Sequence, residues 1–129
     1  MSGGYILDHT AVRSLAHGSV YLAARIHVST RSAQPLYVPG VCLAQGLTET
    51  VIGEVRQRIE EAFAAPSFVF RPLDELSCWA VAQIAGDRDV DIATAHAAHV
   101  GLTTGLPVLT RSGSAYRKID SSIVTESLP

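Results

Sequence analysis

Short apolar runs alternating with stretches of helical spacing predict an α/β domain in three layers, with a central, mostly parallel sheet of four to five strands covered by helices on both faces. Two observations on composition support that class. A chain of 129 residues fits one domain better than two, so residues 1–129 are read as a single unit. The 47% hydrophobic and 17% charged content excludes a disordered chain. Aromatics make up only 6% of the sequence and alanine is abundant, which favours helices lying close against the sheet.

The elements follow in order. Tyr5-Ile6-Leu7 is a short apolar run that stops at Asp8-His9-Thr10, the pattern of a buried strand ending at the sheet edge where a helix begins. From Thr10 to about Ser32, Val12, Leu15, Val20, Leu22, Ala23, Ile26 and Val28 are spaced for helix, with Gly18 as a break between two pieces. Leu36-Tyr37-Val38 reads as the second strand. Pro39-Gly40 then opens a helix from Val41 to about Leu47.

From Thr48 to Ala65, Val51, Ile52, Val55, Ile59, Ala62 and Phe63 form one apolar face opposite Glu54, Arg56, Arg58, Glu60 and Glu61, as in an amphipathic surface helix. Ser67-Phe68-Val69-Phe70 is the third strand. Asp74 or Ser77 caps the next helix, which runs through Trp79, Val81, Ala82 and Ile84. Gly86 to Asp91 reads as a short acidic loop feeding an alanine-rich helix from Ile92 to about Val100. Leu106 to Thr110 is the fourth strand, and Ile123-Val124 a weak fifth.

Charge and cysteine usage bound the function. A net charge of −2 gives no general affinity for polyanions, so a nucleic-acid role needs a local site. Cys42 and Cys78, far apart and each in apolar surroundings, read as reduced core residues. The N-terminus lacks a basic leader pattern, and no run of about 18 apolar residues occurs. A soluble, cytoplasmic protein with no membrane partner is expected.

In parallel α/β sheets ligands bind beyond the carboxyl ends of the strands. That rule selects Asp8, His9 and Thr10, the segment around Gln45, the aspartates Asp87, Asp89 and Asp91, and Arg111, Ser112 and Ser114. Each aspartate also has a plain structural reading, since Asp8 and Asp91 both stand where a helix N-cap belongs.

The sequence resembles the PIN domains, which include the VapC-like toxin ribonucleases of toxin–antitoxin modules. The resemblance rests on Ile6-Leu7-Asp8-His9-Thr10-Ala11, on Tyr37 to Gln45, on Asp91 to Ala97 and on Gly105 to Ser112, in the right order over nearly the whole chain. It implies a cluster of carboxylates holding Mg²⁺ or Mn²⁺, hard cations that take oxygen ligands. The metal would activate water against an RNA phosphodiester. Asp8 matches the first acid of that cluster and Asp91 the third. Gln45 stands where a glutamate is usual, and Ser112 where an aspartate is usual.

Two carboxylates suffice at most for one weakly held dication. Gln45 and Asp89 are further candidate ligands, with Asp87 or Glu49 as substitutes, while Thr10, Arg111 and Ser112 are candidate contacts for RNA. The expected function is metal-dependent RNA hydrolysis, attenuated or lost. The alternative is a non-catalytic interaction or dimerisation module, with an antitoxin protein or a second copy of the chain as partner.

Other groups carry weaker signals. His96 and His99 share a helix face and could touch one zinc ion, but nothing completes a tetrahedral set, and partly exposed helix positions or a dimer contact explain them better. His9 could bind phosphate or relay a proton. Arg117, Lys118 and Arg88 are candidate backbone contacts or simply solvated charge. Ser112-Gly113-Ser114 lacks the strand-turn-helix context of a nucleophile.

Overall fold

The structure, a computed structural model, describes residues 3–48 and 53–129. It holds five strands in one sheet, every neighbouring pair parallel, in the order β3-β2-β1-β4-β5. β1 (Tyr5–Leu7) lies at the centre, flanked by β2 (Leu36–Pro39) and β4 (Val108–Thr110), with β3 (Phe68–Arg71) and β5 (Thr125–Ser127) at the edges. The fifth strand therefore begins just after the Ile123-Val124 expected from sequence. Ile123 is buried instead in the core beneath the sheet, and the pairing with β4 starts at Thr125.

Parallel neighbours require crossovers, and the helices supply them. α1 (His9–Ala16) and α2 (Val20–Arg31) join β1 to β2. The break between them falls at Gly18, whose φ of +84° suits glycine and ends the first helix. α3 (Gly40–Gly46) and α4 (Gly53–Phe63) lead to β3, and α5 (Glu75–Arg88) and α6 (Ile92–Thr104) lead to β4. The first residues of the predicted Thr48–Ala65 helix, with Glu49, lie outside the described residues. A seventh helix, α7 (Gly113–Ile119), precedes β5 and was not expected from sequence.

Alternation along the strands divides the core into two halves. Ile6 and Val108 point to one face, where they pack with Cys42 of α3, Ala93, Ala97, Ala98 and Val100 of α6, and Tyr116 and Ile119 of α7. Leu7 and Leu109 point to the other, among Val12 and Leu15 of α1, Leu22 of α2 and Ile59 of α4. The α6 layer is where alanine acts: residues 93–98 are all buried, so small side chains let this helix sit deep against the sheet.

Three local expectations need correction. Cys42 is buried but Cys78 is exposed, because α5 buries only Val81 completely and turns its remaining surface outward. His96, expected to be partly exposed, is 1% exposed within the α6 interior, and its burial, with His99 nearby, lowers its pKa. The acidic loop is mostly helix: α5 continues through Asp87 and Arg88, and Asp89 is its left-handed C-cap at φ 52°.

Candidate functional site

Strand order reverses beside β1, so the crevice lies where β1 and β4 end. Three helix N-termini converge there, those of α1, α6 and α7. Asp8 leaves β1 and caps α1, its Oδ1 accepting from the backbone N–H of Thr10 at 2.9 Å and of Ala11 at 3.0 Å. The sequence places a short acceptor directly before the first turn, as an N-cap requires. Thr10 Oγ1 donates to the same oxygen at 2.6 Å. Asp8 is 0% exposed.

The other carboxylate oxygen, Oδ2, accepts from the Tyr116 hydroxyl at 2.7 Å. Burial, followed by the negative charge of Asp8, pushes the Tyr116 phenol far above the ordinary tyrosine range, which keeps its proton available to donate. Cys42 lies in the same interior; burial and the Asp8 charge raise its pKa, and its thiol donates to the Ala93 carbonyl. Thr10 Oγ1 also accepts from the Arg111 backbone N–H at 2.9 Å and lies 3.4 Å from Thr110 Oγ1. Thr110 in turn accepts from the Ser112 N–H at 2.9 Å. The ends of β1 and β4 are thus tied by a continuous polar network.

Asp91 behaves differently. It caps α6 through one bond, Thr94 N–H to Oδ1 at 2.7 Å, and its side chain is 61% exposed, with His9 Nε2 4.0 Å from Oδ2. Partial burial works to raise its pKa, but the Thr94 hydrogen bonds and the charge of His9 outweigh that and lower it overall. Asp91 is the candidate acid with an open face.

The remaining sequence candidates do not join these two. Gln45 is exposed near the end of α3 and uses its backbone oxygen to accept from Arg13 at 3.2 Å. Asp87 and Asp89 are exposed near the end of α5. Ser112 is exposed and caps α7 without a side-chain bond. Tyr116 is the residue that sequence reasoning missed. Its only signal was an aromatic with a hydroxyl, flanked by charged Arg117 and Lys118, at a position the fold buries.

A Mg²⁺ ion takes about six oxygens at roughly 2.1 Å. Here Asp8 has both oxygens engaged by protein donors and no exposed surface, and among the described residues no group of three or more His, Cys, Asp or Glu side chains could hold a metal ion. The residues present do not fit the cation that the acidic pattern implies.

A three-layer domain with this parallel sheet, and with aspartates at the carboxyl ends of its strands, is a VapC-like PIN fold. Solved structures with the same architecture bear this out. A chain of VapBC2 from Rickettsia felis, solved bound to a DNA fragment from their promoter, aligns over 98% of this chain and 99% of its own with 10% identity and a TM-score of 0.71. PAE2754 from Pyrobaculum aerophilum aligns over 97% and 92% with 15% identity and a TM-score of 0.64. DNA-bound VapBC from Salmonella typhimurium aligns over 98% and 98% with 14% identity and a TM-score of 0.69. No protein-family model and no curated protein matches the sequence. At these identities the likeness defines the fold.

Proposed function

We propose that this chain is a PIN-fold protein of the toxin–antitoxin kind in which metal-dependent RNA hydrolysis has been lost, and that its role is to bind an antitoxin-like protein partner. One observation carries the reading: Asp8 is fully buried and its Oδ2 is occupied by the Tyr116 hydroxyl. A dication there would have to displace a buried phenol and then bind with too few further carboxylates. Three solved relatives in fold are VapBC or FitAB assemblies bound to DNA, which supports a protein partner for this chain. Leu76 and Trp79, 82% and 75% exposed on α5, support protein contact as well.

The test is thermal unfolding with and without about 1 mM Mn²⁺, alongside cleavage of a single-stranded RNA. The wild type is expected to show neither a shift nor metal-dependent cleavage. A variant combining Gln45→Glu, Ser112→Asp and Tyr116→Phe is expected to gain a Mn²⁺-dependent shift, because it restores two acids and frees Oδ2. Metal-dependent cleavage by the wild type that disappears in Asp8→Asn would overturn the proposal.

A further inference from the structure

Beside the Asp8 network lies a cavity of about 580 Å³ between α1, the start of α2 and the segment after β4. That volume is in the range of small-molecule sites. Arg13, Arg111 and His17 line it together with the hydroxyl residues Thr10 and Ser14, and no described carboxylate does.

Neither arginine is neutralised. Among the described residues neither forms an ion pair. The Arg111 guanidinium is held by neutral oxygens alone, donating from Nε to Ser14 Oγ at 3.0 Å and from a terminal nitrogen to the Pro129 carbonyl at 2.9 Å. Arg13 donates to the Gln45 carbonyl, and its Nε is buried with no partner. A buried donor left unpaired costs about 1–3 kcal/mol, so this group has an unmet need for an acceptor. Two planar forks and two hydroxyls around one space match the geometry of a phosphate, which guanidinium groups bind in paired fashion.

We infer that this cavity is a phosphate-monoester site for a ligand of nucleotide size, with Arg13 and Arg111 as its anion-binding residues. The site needs no metal and stands whether or not RNA hydrolysis has been lost. Asp8 contributes through Thr10, whose hydroxyl it fixes at the cavity wall.

The experiment is calorimetric titration of the full chain in EDTA with AMP, inorganic phosphate and citrate, together with NMR observation of the arginine Nε–H signals in the wild type. AMP and phosphate are expected to bind and to move the Arg13 and Arg111 signals. Arg13→Gln is expected to weaken AMP binding about tenfold or more, the loss of a charge-assisted hydrogen bond. Arg31→Gln, at the far end of α2, is expected to leave it unchanged. Binding of citrate in preference to both phosphates would overturn the phosphate assignment. So would no binding of AMP at about 1 mM, or binding that moves neither arginine signal. The NMR readout on the wild type decides the matter even if a substituted chain unfolds.

Discussion

The N-terminus of α1 and the N-terminus of α6 are built on the same device, an aspartate capping the first turn, yet the two have opposite surroundings. Asp8 has four donors on its two oxygens and no exposed surface. Asp91 has one backbone donor at Oδ1 and is largely open. The difference lies above the caps: α7 brings a phenol down onto Asp8, whereas only His9 stands near Asp91. A carboxylate at a strand end is available for chemistry only when the fold leaves one of its oxygens free.

The largest effect that would test this contrast is removal of the two carboxylates. Asp8→Ala strands the Tyr116 hydroxyl and the N–H groups of Thr10 and Ala11 in the interior, and is expected to cost about 3–5 kcal/mol. Asp91→Ala removes a solvent-reachable cap and is expected to cost about 1 kcal/mol. Equilibrium urea unfolding measures both, and equal losses would break the comparison.

A smaller change isolates the phenol. Tyr116→Phe keeps the ring that packs with Ile6 and Val108 but leaves Asp8 Oδ2 buried without its donor, at an expected cost of about 1.5–3 kcal/mol. The same measurement checks it; a loss below about 0.5 kcal/mol would show that Oδ2 finds another partner.

The smallest effect is on pH dependence. The Asp91 pKa is lowered on folding from the ordinary 3.8, so its contribution is fully present above that value and is lost as pH falls through the lower folded value. Asp91→Asn is expected to flatten acid unfolding in that window and to leave stability near neutrality almost unchanged, because asparagine also caps helices. An unaltered acid transition would show that Asp91 gains nothing from Thr94 and His9.

The periodic features of this fold were legible in the sequence. The first four strands, the helix break at Gly18 and both capping aspartates follow from apolar spacing and short-range chemistry, which depend on neighbours a few residues away. What escaped was non-local. Asp89 was read as part of a loop because Gly86 and three nearby acids resemble one, yet α5 runs on to Arg88. His96 was read as a surface residue because its polarity hides how deeply an alanine helix can sit. Tyr116 gave no local sign that its hydroxyl would end on a carboxylate from the first strand.

The Asp8–Tyr116 bond also orders events during synthesis. It joins residues 108 positions apart in the chain, and β1 needs β4 on one side before its pairing is complete. The cap bonds of Asp8 to Thr10 and Ala11 can form as soon as α1 emerges, whereas the carboxylate's second oxygen waits until α7 has left the ribosome. Distant pairings of this kind come late in folding. The carboxyl edge of the sheet is therefore the last part of the molecule to close, and until then Asp8 stays open to water.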